Sequence, residues 1–215
     1  MIVAIDGPAA AGKGTLARKI AGALGFAHLD TGALYRAVGL RVLRAGQDPS
    51  DPEAALRAAR ALDPSELSDP ALRDEATGSA ASMVSAYPAV RAALLDFQRN
   101  FAKTPPNGAP GAVIEGRDIG TVICPDADIK LFIDAALAVR AQRRHGELTG
   151  KGSGIALAEV QAEMAARDAR DRERADSPLR PAPDAHLLDT TDLDIDGVFA
   201  AAMRLIGNVA KLQGR

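Results

Sequence analysis

The sequence predicts an α/β fold, a parallel sheet of about five short strands flanked by helices. Short β-branched or apolar runs alternate with longer helical stretches, the pattern of a sheet covered on both faces. A glycine-bearing loop separates the first such run from the first helical stretch. Alanine, the best helix former, supplies 45 of the 215 residues, about a fifth of the chain.

The elements can be justified in order. Ile2 to Ile5 is a β-branched run suited to a buried central strand, and Gly7 to Gly14 form the loop after it. A helix is expected from about Thr15 to Leu24, closed by Gly25, and a short strand from Ala27 to Asp30. An amphipathic helix over Ala33 to Ala45 stops at Gly46. From Asp48 to Ala76 the text is helical but punctuated by Pro49, Pro52, Pro64 and Pro70. Helices follow at about Thr77 to Ala86 and from Pro88 to Lys103, then a loop, TPPNGAPG. Strands at Ala112 to Glu115 and Ile129 to Ile133 bracket GRDIGTVICPDA. A helix near Leu137 to His145, a break at Thr149 to Gly154, and a polar helix from about Ile155 to Ala175 come next. His186 to Leu188 is the last strand and a helix begins at Ile195. No internal repeat or low-complexity tract interrupts this order.

The composition excludes several function classes. Lys+Arg 26 against Asp+Glu 28 gives a net charge of −2, without the positive excess that a nucleic-acid coat or a polybasic membrane binder needs. The single Cys124 excludes an internal disulfide and a cysteine-based zinc site. No apolar run approaches the roughly 18 residues of a membrane span, and no signal pattern precedes the first strand. A cytoplasmic chain is expected. The basic residues are 20 Arg and 6 Lys, and arginine suits bidentate contacts to phosphate.

The loop reads Gly7-Pro8-Ala9-Ala10-Ala11-Gly12-Lys13-Gly14-Thr15, a G-x-x-x-x-G-K motif in its required strand-to-helix setting. Such a loop turns backbone N–H groups inward as an anion nest, and the helix N-terminus adds partial positive charge. Lys13 supplies a point charge for the β and γ phosphates. Thr15 offers a hydroxyl to those phosphates or to Mg²⁺. The hydroxyl comes one position later than in GTPases and motor ATPases, and a GKGT ending is associated with nucleoside monophosphate kinases.

An acceptor that is itself a phosphate needs no general base, because its attacking oxygen is already anionic. Charge neutralisation and positioning then dominate, which calls for arginines and a metal. Three groups fit. Arg167, Arg170 and Arg174 share a helical face by their spacing, and Asp171 stands four residues from Arg167. A solvated face would give the same text, but a phosphate loop in the same chain favours an anion site. Gly116-Arg117-Asp118 directly follows a strand whose end, Glu115, could order Mg²⁺-bound water. Asp30-Thr31-Gly32 leads to Tyr35 and Arg36 in the same way.

These strings, IDGPAAAGKGT, LDTGALYR, AASMVSAYPAVRAALLDFQR, EGRDIGTVICPDADIK, RDARDRERADSPLRPA and LLDTTDL, resemble the cytidylate kinase family of nucleoside monophosphate kinases. In order they cover nearly the whole chain. The resemblance implies a P-loop NTPase-type fold and ATP-dependent phosphorylation of CMP and dCMP with Mg²⁺. It implies that Arg36, Arg117 and Arg174 hold the acceptor phosphate, with Lys13 on the donor. Ser82, Arg91 and Asp118 would read the cytosine edge, and Thr31, Arg167 and Asp171 would surround the ribose. Residues 1–215 would form one kinase domain, with an acceptor-nucleotide insert at about 48–104 and a mobile lid at about 145–174.

One departure concerns the insert. Leu62 to Ala80 has no alternating hydrophobic hairpin, so the insert is expected to be short and helical rather than to carry a small antiparallel sheet. Two other readings stay open at the level of sequence. One is a kinase of UMP, AMP or a non-nucleotide such as shikimate on the same fold. The other is a nucleotide-dependent switch, which would need no second phosphate site. Nothing in the chain demands more than a monomer.

Overall fold

The computed structural model describes residues 1–212. The chain forms two compact units, residues 1–29 with 102–215, and residues 30–101. Among the described residues no helix is long and apolar enough to cross a membrane.

The first unit is built on a five-stranded parallel sheet in the order β2-β3-β1-β4-β5. Its strands are β1 (Ile2–Asp6), β2 (Ala27–Asp30), β3 (Ala112–Gly116), β4 (Ile129–Asp134) and β5 (His186–Asp189). β1 is central because it is apolar on both faces, with Val3, Ala4 and Ile5 fully buried. One face of the sheet is closed by α1 (Lys13–Leu24) and α8 (Ile195–Leu212). Leu16, Ile20, Val198, Ala202 and Ile206 pack there against Val3, Ile5, Leu131 and Ile133. All five strands lie within a residue of their sequence-predicted bounds. α1 begins at Lys13, two residues earlier than expected, because the phosphate loop runs straight into the helix.

The strand order places the active loops. β3 lies between β1 and β2, so the chain leaves β1 toward one edge and later crosses it to reach β4. That arrangement opens a crevice at the carboxyl ends of the strands. Asp6 is paired with Gly116 and also with Phe132, so Gly7 and Arg117 leave neighbouring strands side by side.

Two further helices of this unit, α6 (Leu137–Thr149) and α7 (Leu157–Glu173), follow β4. Ala141, Leu148, Val160 and Met164 join them, with Ala9 and Ala10 of the loop packed on the same cluster. α6 runs four residues past its expected end, so the glycine break is confined to the turn where Gly152 takes φ +87°.

The second unit is helical, with α2 (Thr31–Arg44), α3 (Pro52–Arg60), α4 (Glu75–Val84) and α5 (Pro88–Lys103), the last running on past its border. Two 3₁₀ turns, Pro64–Ser68 and Pro70–Arg73, fill the stretch that the prolines punctuate. Pro49 lies in a turn, but Pro52, Pro64 and Pro70 each open an element instead of breaking one. Asp51, Asp63 and Asp69 stand immediately before them, and their side chains accept N–H bonds from Glu53, Ser65 and Ala71. Residues 62–80 contain no strand, as the sequence predicts. Arg41 and Arg44 of α2 pair with Glu66 and Asp69, which anchors both turns.

α2 and α4 meet closely at Gly39. A Cβ there would lie 2.9 Å from the Ala80 Cβ and 3.0 Å from the Ala81 backbone nitrogen. Helix propensity alone would make Gly39→Ala stabilising by about 1 kcal/mol. Backbone at that distance cannot give way cheaply, and overpacking costs about 1–3 kcal/mol. Gly39→Ala should therefore lower the urea midpoint; a raised midpoint would contradict this close approach.

Asp6, at the end of β1, is 4% exposed. Its two carboxylate oxygens accept the Ile119 and Gly120 N–H groups at 2.7 and 2.8 Å. Those bonds fix the single π-helical turn, Ile119–Ile123, that follows Arg117 and Asp118. Burial pushes the Asp6 carboxyl up to about 6, helped by the nearby Asp118 charge and opposed by the two N–H bonds and Lys13. The folded chain thus holds this proton where the unfolded chain has lost it, between about pH 4 and 6. Asp6 contributes more stability at low pH, and that contribution falls as pH rises through the window. The deficit of Asp6→Asn in urea unfolding should be about 1 kcal/mol larger at pH 5 than at pH 8. A deficit that does not change with pH would remove the buried, proton-holding carboxyl.

Candidate active site

The loop after β1 has the backbone of an anion nest. Gly7, Ala10 and Gly12 take φ of +146°, +56° and +91°. Gly7 cannot carry a side chain: a Cβ would sit 1.9 Å from the Ile133 carbonyl oxygen of the neighbouring strand. In a trans peptide the C=O and the next N–H point in opposite directions, so inward N–H groups require outward carbonyls. Those carbonyls have partners. Lys13 Nζ donates to Pro8 at 2.7 Å, Arg140 to Ala9 at 3.2 Å, and the Thr190 hydroxyl to Ala11 at 3.3 Å. Thr190 is in turn held by Arg143, which donates to its hydroxyl and its carbonyl.

Glu115 lies beside the first turn of α1. Its carboxylate oxygens would be 3.3 and 3.4 Å from a Cβ on Gly14, so the absence of a side chain there makes its room. It is 5% exposed and shares a 2.9 Å contact with His28 Nε2. Thr15 is exposed on the same turn of the helix.

Beyond the end of β3, three arginines surround one carboxylate, that of Asp171. Arg117 Nε donates to Asp171 Oδ2 at 3.0 Å. Burial alone would raise the Asp171 pKa, but the charges of Arg117, Arg174 and Arg167 outweigh it and hold the carboxyl below its usual range. α7 presents Val160, Met164, Asp168 and Asp171 to the interior, while Arg170 is exposed. The arginines thus rim a buried acidic stripe. Arg174 differs from the sequence expectation of a shared helical face. It lies just beyond α7, in extended backbone, and its guanidinium donates to the Ser177 carbonyl. Asp118, 5% exposed, caps the π-helical turn.

The remaining expected residues belong to the second unit. Thr31 is buried in the first turn of α2, and Arg36, one turn on, lies 3.7 Å from Asp30. Arg91 of α5 is 7% exposed, packs over the Tyr35 ring at 5.6 Å and donates to the Ser85 carbonyl. The Ser85 hydroxyl donates to the Ser82 carbonyl, so Ser82 and Arg91 share one corner of this unit.

Sequence reasoning missed Arg140, Asp168, Thr190 and Asp6. Arg140 and Asp168 carried a signal. Arg140 falls in the apolar register of α6, with Leu137, Ala141 and Leu148, and Asp168 continues the Val160–Met164 face of α7. Charged residues in such register need partners, and these two are each other's.

Comparison with known proteins fits this geometry. A family model described as cytidylate kinase matches residues 3–208. The chain is 58% identical to a cytidylate kinase from Paramagnetospirillum magneticum, over 96% of this chain and 98% of that one. It is 54% identical to the cytidylate kinase of Rhodospirillum rubrum, over 97% and 98%. Among solved structures, an uncharacterized protein from Eubacterium ventriosum shares the fold, at TM-score 0.54 and 14% identity over 96% and 98% of the two chains. With the family model spanning almost its whole length, this chain belongs to the cytidylate kinase family.

Proposed function

We propose that the chain transfers the γ-phosphoryl group of ATP to the phosphate of CMP or dCMP, giving ADP and CDP or dCDP. The observation that carries this reading is the group of Arg117, Arg167 and Arg174 around Asp171. Arg117 leaves β3, the neighbour of the strand that leads into the donor nest, and Arg167 and Arg174 come from α7 and the residue after it. A second cationic site so close to the first is what a phosphate acceptor requires, and the names of the relatives supply its base.

The nest and Lys13 hold the donor phosphates, and the backbone N–H groups face the charge that builds up on transfer. No general base is needed, because the CMP phosphate oxygen that attacks is already anionic. Arg36, Arg117 and Arg174 bind that phosphate and offset its charge. Thr31, Arg167 and Asp171 surround the ribose. Thr15 and Glu115, oxygen donors beside the first turn of α1, would hold Mg²⁺, Thr15 by its hydroxyl and Glu115 through water, and the ion would supply charge neutralisation to the donor phosphates. Residues 145–174 act as the lid that excludes water, and 48–104 as the acceptor-nucleotide insert. Every residue assigned here comes from one chain, so a monomer suffices.

Ser82, Arg91 and Asp118 read the base. Cytosine offers an amine at its 4-position and acceptors at N3 and O2. The Asp118 carboxylate accepts from that amine, and Arg91 donates to the acceptors. Uracil sets a carbonyl against the carboxylate and an N–H against the guanidinium. An unmatched buried polar group costs about 1–3 kcal/mol, which is roughly ten- to hundredfold in kcat/KM. ADP release measured across a panel of CMP, dCMP, UMP and AMP should thus favour the cytosine nucleotides over UMP by that factor. Asp118→Ala should lose most of the preference with the KM for ATP nearly unchanged. Equal use of UMP and CMP by the intact enzyme would overturn the assignment of the base-reading residues.

A further inference from the structure

We infer that Arg140 is a positioning residue for the donor-phosphate loop, and that Asp168 on α7 holds it in its working orientation. This rests on reading that loop as the ATP site. Arg140 is 3% exposed on the first turn of α6, an unusual place for a guanidinium. Each of its three nitrogens donates to a different element. Nε reaches the Ala135 carbonyl at 2.9 Å, one terminal nitrogen the Ala9 carbonyl at 3.2 Å, and the other Asp168 Oδ2 at 2.6 Å. The end of β4, the phosphate loop and α7 are therefore tied through one rigid fork.

The bond to Ala9 is the one that bears on ligand binding. It fixes the plane of the Ala9–Ala10 peptide with its oxygen outward, which leaves the Ala10 N–H directed into the nest. Ala10 itself is held at φ +56°, a conformation that a residue with a Cβ adopts only under constraint. Ala10 also packs on the α6–α7 cluster, so the same two helices hold both its backbone and its methyl group. Of the three groups on the outward carbonyls, Lys13 also carries the charge that donor phosphates attract. Arg140 and Thr190 have no such second task, which makes them the fixed supports.

The Asp168 side of the pair is not explained by folding alone. Its Oδ1 is buried and has no hydrogen-bond partner among the described residues, while Oδ2 is committed to Arg140. A half-satisfied buried carboxylate is a stability cost. What it provides is orientation of the guanidinium. Three residues further along the same buried stripe, Asp171 meets the arginines of the acceptor group, so one helix carries both carboxylates.

Arg140→Lys and Asp168→Asn separate this role from a structural one. Lysine keeps the charge but cannot bond three spread acceptors from one ammonium. Asparagine keeps the shape and an oxygen for Arg140 but loses the charge. Turnover of ATP with CMP by the unsubstituted enzyme, measured first, tests the functional reading on its own. Calorimetry would then give dissociation constants for the β,γ-imido analogue of ATP and, separately, for CMP. Arg140→Lys should weaken the analogue roughly tenfold, the scale of one lost hydrogen bond, with CMP within about twofold. Asp168→Asn should weaken it by a smaller factor in the same selective way, and it decides the matter if the lysine variant does not fold. Unchanged analogue affinity in folded variants, or equal loss for analogue and CMP, would overturn the inference.

Discussion

A loop that turns its N–H groups toward an anion must turn its carbonyls away from it, and in a packed protein those carbonyls need donors. Much of the first unit is arranged around that constraint. Lys13 from α1, Arg140 from α6 and Thr190 from the end of β5 each reach back to one carbonyl of residues 8–11. Two elements distant in sequence, and the helix that follows directly, are thereby bound to one short loop. The sheet order is what makes this possible. β1 is central, so the loop leaving it is flanked by the chain leaving β3 on one side and the chain leaving β4 and β5 on the other.

Three buried carboxylates obey the same logic with different answers. Asp6 is satisfied by two backbone N–H groups, which leaves its burial only partly offset and its pKa raised. Asp171 sits among guanidinium groups, whose charge outweighs its burial and lowers its pKa. Asp168 faces one guanidinium and keeps one oxygen without a partner. All three orient other groups. Asp6 sets the turn after Arg117 and Asp118, Asp171 gathers the arginines, and Asp168 aims Arg140.

The strands were legible because each is a short apolar run between turn residues, and burial on both faces leaves little latitude for its bounds. The phosphate loop was legible because its spacing and its strand-to-helix setting occur together. Prolines 52, 64 and 70 were readable as punctuation but not as helix starts; the aspartate before each was the missing cue. The π-helical turn at Ile119–Ile123 left no local signal, since it depends on Asp6, more than a hundred residues away. Arg174 looked helical by spacing, yet the helix ends one residue before it and the chain turns to bond Ser177. Arg140 was hidden in LAVRAQRRHGEL, where its charged neighbours resemble a solvated face. Only its register with Leu137 and Ala141 sets it apart.

The proposed reaction depends most on a second, phosphate-binding site working with the donor nest. ADP release measured with CMP, with cytidine and with no acceptor tests that directly. Cytidine carries the same base and ribose but lacks the phosphate that the arginines are assigned to hold. A working acceptor site predicts sustained ADP formation with CMP, matched by CDP, and little with cytidine or with ATP alone. ADP release at the same rate in all three would mean that the arginine group has no part in the reaction, and would contradict it.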